Sequence, residues 1–213
     1  MNPQANTQNL VKIANEAIKI VDFLGSSIKY HNTDMIIEIE YYSFENLSTE
    51  LREWTFELLK LNMKKTYENS NLGWNEKEKR KEMSDKDCRY LIALNNGKPI
   101  GFVMFQFSWE ETMSDDDEEI EVIYCYEIQL SEIARNKGLG TFLMRTLEEI
   151  GRHWKMKKLI LTAIDTKENK TNKSAIDFYL NHLGYQIDEI SPSKVLLPEE
   201  AKDYDYEIIS KVL

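Results

Sequence analysis

Apolar residues recur at helical spacing near the start of the chain, at Leu10, Ile13, Ala14, Ala17, Ile18, Val21 and Leu24, and Gly25 supplies a stop. This predicts a peripheral helix over residues 10–24. Residues 35–42 are β-branched and aromatic, which predicts a strand. Ser48 then caps a helix running through Trp54, Phe56, Leu58, Leu59 and Met63, with Glu50 and Glu53 near its positive end. A strongly charged helix is expected over residues 76–83. Two apolar runs, 89–94 and 99–107, flank Asn96-Gly97, a strong hairpin signal, and predict an antiparallel pair.

Residues 121–130 predict a central strand, whose alternation puts Tyr124, Tyr126 and Ile128 on one face and Cys125, Glu127 and Gln129 on the other. A carboxylate in so apolar a strand marks Glu127 as a candidate functional group. The loop Arg135-Asn-Lys-Gly-Leu-Gly140 opens a helix with an apolar stripe of Phe142, Leu143, Leu147 and Ile150. A strand over 158–164, a helix over 174–183 and strands over 185–190 and 204–210 complete the pattern. Strands interleaved with helices, without internal repeats, predict an α/β fold, with residues 1–30 as a helical extension and 31–213 as one domain.

The 213 residues, 42 % of them hydrophobic, suffice for one substantial core. With 27 Lys and Arg against 37 Asp and Glu, the net charge of -10 argues against nucleic acid and favours a cationic ligand. Residues 110–121 hold eight acidic side chains and predict a solvated hairpin connection, whose field would steer a basic tail. Two cysteines, Cys88 and Cys125, and three scattered histidines exclude a disulfide framework, and no metal site is expected. Residues 1–10 lack a basic-then-apolar leader and no apolar run approaches a span of about 18 residues, so a soluble intracellular protein without a membrane partner is expected.

The strand, glycine turn and helix around Arg135-Asn-Lys-Gly-Leu-Gly140 can present several backbone N–H groups to an anion. Gly138 and Gly140 permit close approach, while Arg135 and Lys137 add positive charge, so a pyrophosphate is the natural guest. An ordinary strand-to-helix turn with two glycines is the alternative, and neither G-x-x-x-x-G-K-[ST] nor a complete G-x-G-x-x-G is present.

Arg135-x-x-Gly138-x-Gly140 after a strand resembles the acetyl-coenzyme A loop of the GNAT superfamily of acetyltransferases. Asn172-x-x-Ala175-x-x-Phe178-Tyr179 followed by Leu183-Gly184-Tyr185 resembles that superfamily's second signature. Within it, Tyr124-Cys-Tyr-Glu-Ile-Gln-Leu, Met156-Lys-Lys-Leu-Ile-Leu-Thr, Ile187-Asp-Glu-Ile-Ser-Pro-Ser and Tyr206-Glu-Ile-Ile-Ser resemble the N-terminal acetyltransferase D family. Trp54-Thr-Phe-Glu-Leu, Asn62-Met, residues 63–67 and Gly73-Trp74 extend the likeness upstream. The resemblance implies a GNAT fold, a mixed twisted sheet flanked by helices. It also implies transfer of acetyl from acetyl-coenzyme A to the N-terminal serine amine of histone H4 and the related core histone tail, both beginning Ser-Gly-Arg-Gly.

Carried over residue by residue, the resemblance implies Glu127 beside the acceptor amine, with Tyr126 and Tyr179 as further candidate catalytic groups. Tyr67, Tyr124, Tyr126, Thr162 and Tyr206 would line the peptide pocket. Acetyl-coenzyme A would meet Ile128, Gln129 and Leu130, then Arg135, Asn136, Lys137, Gly138, Leu139, Gly140 and Thr141, with Asn172 further along. Two positions depart from the family: Leu72 replaces a pocket tryptophan, and Ser108 replaces an aspartate that holds the peptide, a role open to Glu110, to Glu111 or to the acidic insertion up to Glu121. A histone substrate would be met newly made in the cytoplasm and assembled in the nucleus, so both locations are expected, and a monomer is expected.

An α-amine, with a pKa of about 7.7 to 8.0, needs only a modest base, and a buried Glu127 with a raised pKa would serve. A backbone N–H at an irregularity of the strand, at Ile128, would polarise the thioester oxygen. Two alternatives remain open at this point: the same fold acting on lysine or small-molecule amines, and a module that binds without turnover.

Overall fold

The computed structural model describes residues 3–18, 20–25, 28–32, 35–114, 118–164 and 173–213, with side chains from residue 10 onward except that of residue 173. Its elements in chain order are α1 (Pro3–Glu16), β1 (Ile28–His31), β2 (Ile36–Ser43), α2 (Thr49–Glu68), α3 (Glu76–Met83), β3 (Arg89–Asn95), β4 (Lys98–Glu111) and β5 (Glu119–Leu130). They continue with α4 (Leu139–His153), β6 (Lys158–Ile164), α5 (Lys173–Asp177), β7 (Gln186–Ile187), α6 (Pro192–Val195) and β8 (Tyr206–Val212). Eight strands form one mixed sheet in the order β1-β2-β3-β4-β5-β6-β8-β7, in which only β5 and β6 run parallel. The mixed α/β architecture expected from the sequence is the one observed.

Two apolar cores cover the two faces of the sheet. On one, Val11, Ala14 and Ile20 from the N-terminal segment and Leu139, Leu143, Leu147 and Ile150 from α4 pack on strand residues such as Val103, Ile123 and Leu161. On the other, Phe56, Leu58 and Leu59 of α2 and Met83 of α3 pack on Tyr90, Ile92, Phe102 and Met104. The Ser48 hydroxyl accepts from the Leu51 amide as the predicted cap, and Asn96 (φ 50°) and Gly97 (φ 73°) make the predicted tight turn.

Several boundaries differ from the sequence pattern for identifiable reasons. The first helix starts at Pro3, where a missing N–H is harmless, and ends at Glu16 instead of Leu24. The chain turns there to bury Ile20, whose carbonyl accepts from the Trp154 indole at 3.1 Å. β1, unpredicted, is only four residues long and owes its conformation to pairing with β2. The helix expected over 174–183 changes hydrogen bonding at Phe178, where a π-helical turn takes over to His182. The strand expected over 185–190 is reduced to Gln186–Ile187. The acidic run is not all connection: Glu110 and Glu111 pair with Ile120 and Glu119, so β4 and β5 form a long arm carrying acid at its end.

Candidate active site

Two irregularities of β5 shape the site. The β4–β5 ladder slips between Met104, opposite Glu127, and Phe105, opposite Cys125, leaving Tyr126 without a partner in β4. One extra residue reverses the side on which every later side chain falls. Alternation therefore mispredicts Glu127 and Gln129: they reach the α2–α3 side along with Tyr124 and Tyr126, while Cys125 and Ile128 join the core under α4. The second irregularity lies on the other edge. β5 pairs with β6 only from Val122 to Cys125; beyond that β6 stays beside β8, and a wedge opens along Tyr126 to Leu130.

A cavity of about 320 Å³ lies at this wedge, walled by Tyr67, Trp74, Tyr124 and Tyr126, with Leu72 and Thr162 at its sides and Glu78 and Glu82 on its rim. The Tyr124 and Thr162 hydroxyls are 2.5 Å apart, and the Tyr124 and Tyr126 rings 4.7 Å. Burial pushes the Tyr124 phenol up to about 12 and those of Tyr67 and Tyr126 above their ordinary value, so all three keep their protons at neutral pH.

Glu127 is buried, its side chain 5 % exposed. Its Oε1 is 3.5 Å from both the Tyr67 hydroxyl and Lys79 Nζ, and its Oε2 accepts from Gln129 Nε2 at 2.9 Å. Burial raises its carboxyl above the usual range, against the opposing pull of Lys79 and of the Gln129 hydrogen bond. Gln129 Oε1 accepts in turn from Asn62 Nδ2 at 3.0 Å, and Asn62 Oδ1 accepts from the Arg135 guanidinium at 2.6 Å. An unbroken polar chain thus joins the cavity to the glycine turn.

That turn is built to receive an anion. Asn136 (φ 57°) and Gly138 (φ 79°) are left-handed, and Gly138 caps α4 without any side-chain hydrogen bond. The first amide of α4 closed by a backbone carbonyl is that of Phe142, on Gly138, so the amides of Leu139, Gly140 and Thr141 belong to the open, positive end of the helix. Left-handed residues alternating with extended or helical ones form a nest for phosphate oxygens, and this geometry fits the pyrophosphate of coenzyme A. Arg135 is held beside this turn, its Nε donating to the Leu130 carbonyl at 3.3 Å and its Nη2 to Asn62 Oδ1. Ile128, Gln129 and Leu130 are the last residues of β5, between Glu127 and this turn.

The remaining sequence-predicted residues are more dispersed. Tyr179 lies buried on the π-helical turn, between Phe178 and Tyr185, and burial holds its phenol well above 10. Glu110 is half-buried near Tyr124, and burial raises its carboxyl. Tyr206 pairs with Ile164, a cavity residue, and packs on Tyr204. Ser108 is not among the cavity residues; its hydroxyl donates to the Trp109 carbonyl at 3.3 Å. Asn172 lies outside the described residues, as do the acidic residues 115–117. The described residues hold no group of three His, Cys, Asp or Glu placed for a metal ion.

Lys79 and Tyr30 were not singled out from sequence. Lys79 sits in a run, EKEKRKEM, that reads as a solvated helix. A signal existed: Met83 is the only apolar residue of that run, so Lys79, one turn earlier, shares its inward face. For Tyr30 no sequence signal was available, because its partner Lys137 lies 107 residues away along the chain.

A parted pair of parallel strands, a bulge carrying a buried carboxylate and an anion-receiving turn between strand and helix define an acyl-coenzyme A transferase. Residues 49–185 match the acetyltransferase (GNAT) family, well over half of the chain, and the chain belongs to that family, as an acetyltransferase with acetyl-coenzyme A as co-substrate. Among solved structures it is similar to the PaiA N-acetyltransferase from Thermoplasma acidophilum in complex with coenzyme A, at 18 % identity over 83 % of this chain and 99 % of that one, TM-score 0.53. NAA60 of Arabidopsis thaliana in complex with a bisubstrate analogue matches at 12 % identity over 82 % and 99 %, TM-score 0.57. An aminoglycoside 6'-N-acetyltransferase complexed with coenzyme A matches at 16 % identity over 81 % and 96 %, TM-score 0.54. At these identities the likeness is one of fold.

Proposed function

We propose that this acetyltransferase acts on protein N-termini, on the serine α-amine of tails beginning Ser-Gly-Arg-Gly, as in histone H4 and the related core histone. The observation that carries the reading is the buried carboxylate of Glu127 beneath a tyrosine-walled cavity rimmed by Glu78 and Glu82. An acidic mouth in a protein of charge -10 favours a basic tail, and tyrosine walls suit the backbone of an extended peptide. The reading has the enzyme acting as a monomer where histones are met, in cytoplasm and nucleus.

Bound acetyl-coenzyme A supplies the activated acetyl group as a thioester. The nest at Asn136 to Thr141 holds its pyrophosphate, and the last residues of β5, from Leu130 back to Ile128, direct its reactive end toward Glu127. Tyr67, Tyr124 and Tyr126 position the acceptor amine. As the nitrogen bonds to the acetyl carbon and the carbon–sulfur bond breaks, Glu127 takes the proton the amine sheds. Tyr179, still protonated at neutral pH, is the donor for the departing sulfur. Donors fixed before reaction, among them a backbone N–H next to the bulge, stabilise charge on the acetyl oxygen.

The test is acetyl transfer to a lysine-containing peptide that begins Ser-Gly-Arg-Gly and has a free α-amine, beside the same peptide with that amine blocked and its lysines free. Transfer to the free form alone is expected. Equal transfer to both would move the reading to lysine or general amines, and transfer to neither would point to a different acceptor, selected by Leu72 and the acidic residues 110–121.

A further inference from the structure

The cavity assigned to an acceptor amine already contains an ammonium. Lys79 is the one basic residue among the described residues that line it. Its Nζ lies 3.5 Å from Glu127 Oε1, 3.2 Å from the Tyr67 hydroxyl and 2.8 Å from Glu82 Oε1, over the Tyr67 ring. The Lys79 side chain is 13 % exposed and that of Glu127 5 %, so water and salt screen the pair weakly. α3 fixes it there: Asn75 caps the helix by accepting from the Lys77 and Glu78 amides, and Met83 anchors the same face in the core.

We infer that Lys79 is a specificity-determining residue, whose ammonium, held against Glu127 and Tyr67, admits the acceptor amine in its neutral form and so selects α-amines over lysine side chains. The inference rests on the N-terminal acetyltransferase reading. A second ammonium brought to Glu127 meets Lys79 at close range in a poorly screened site, whereas a neutral amine meets no such repulsion. At neutral pH the neutral fraction of an α-amine exceeds that of a lysine by roughly 300-fold, from pKa values of about 7.7–8.0 and 10.4. A site that admits only neutral amine converts that difference into selectivity.

Glu127 is faced by Tyr67 from α2 and Lys79 from α3, with Glu82 of α3 and Tyr90 of β3 adding to its field, while Cys125 and Tyr179 lie across the strand in the core under α4. Lys79 alone among them is cationic. Removing it lets the Glu127 carboxyl rise further, and removing Glu82 lets it fall.

The experiment measures kcat/KM across pH for the free-amine peptide and for the blocked peptide with free lysines, in the wild type, Lys79→Met and Lys79→Arg. In Lys79→Met the preference for the α-amine is expected to fall about ten-fold and the acid limb of kcat/KM to move to higher pH. Lys79→Arg is expected to retain both. A folded Lys79→Met with preference and acid limb unchanged overturns the inference. Should that variant not fold, Lys79→Gln, which keeps a polar side chain against Glu127 and Tyr67 without the charge, is read for the same two changes, and the absence of both overturns the inference. A wild type without preference for the free α-amine overturns the N-terminal reading and this inference together; a wild type with it, beside unchanged variants, overturns this inference alone.

Discussion

The Tyr30 hydroxyl donates to the Lys137 carbonyl at 2.5 Å, fastening the edge strand β1 to the glycine turn at the head of α4. The Tyr30 ring packs on Phe142, with centroids 5.1 Å apart, and its hydroxyl fills the space where a side chain at Gly138 would go. Across a trans peptide the carbonyl and the following N–H point in opposite directions, so holding the Lys137 carbonyl toward Tyr30 turns the Gly138 amide away from it. β1 thereby helps set the turn that receives the pyrophosphate.

Tyr30→Phe removes one hydrogen bond of about 1 kcal/mol while keeping the ring, which corresponds to roughly five-fold weaker acetyl-coenzyme A binding. Calorimetric titration with acetyl-coenzyme A, beside the KM for the acceptor peptide, separates this from general damage. The cofactor affinity is expected to fall and the acceptor KM to hold; an unchanged affinity would leave Tyr30 as packing alone.

Glu127→Gln keeps the shape and removes the base. Turnover is expected to fall by about 10² to 10⁴, with little change in acetyl-coenzyme A affinity. In the wild type the ionised carboxyl is the active form, so kcat/KM rises with pH through its raised pKa; that inflection should vanish in the variant, leaving the rise through the acceptor amine's own pKa of about 7.7–8.0. The stability effect has a definite sign too. A carboxyl raised by burial favours folding most when protonated, and that contribution is lost as pH rises from 4.5 through the raised value. Glutamine does not ionise, so at pH 7 the variant's melting temperature should equal or exceed the wild type's.

Glu148 on α4 is fully buried and takes Arg145 at 3.0 Å, Arg152 at 3.2 Å, Lys211 of β8 at 3.0 Å and the Tyr185 hydroxyl at 3.4 Å. Burial opposes its charge, but hydrogen bonds from Lys211 and Arg145 outweigh that and hold its carboxyl below the usual range. Removing one partner of a buried ionic cluster costs about 3 kcal/mol, and Glu148→Gln should destabilise by that order. The contribution is present above pH 4.5 and is lost as pH falls through the lowered value. Urea unfolding at pH 7 and pH 3 should show the gap between wild type and variant narrowing at the lower pH.

The sequence made the sheet legible wherever a strand carried its own signal. Asn96-Gly97 specified the central hairpin, and a carboxylate in the apolar run of β5 drew attention to Glu127. What it concealed was set by pairing. Nothing in Tyr124-Cys-Tyr-Glu says that β4 will skip Tyr126, yet that slip decides which face Glu127 occupies. Likewise β1 exists because β2 offers an edge, and Lys79 reaches Glu127 because α3 packs under α2. The glycine turn, by contrast, depends on local backbone chemistry: its glycines pointed to close approach of an anion, and Gly138 at φ 79° caps α4 there.

Leu72 borders the cavity beside Trp74 and is 50 % exposed, so the acceptor's first residues meet a short aliphatic side chain there. An indole at this position would extend the wall already formed by Tyr67 and Trp74, whose rings lie 5.8 Å apart. An added aromatic contact contributes about 0.5–1.5 kcal/mol, so Leu72→Trp should lower the KM for a Ser-Gly-Arg-Gly peptide roughly two- to ten-fold. Because Leu72 touches neither the glycine turn nor Glu127, kcat and the KM for acetyl-coenzyme A should not move. Steady-state kinetics with each substrate varied in turn decides the matter. A higher peptide KM would mean that the open side of the cavity accommodates a bulkier acceptor than Ser-Gly, and that the small side chain at Leu72 is part of the selectivity.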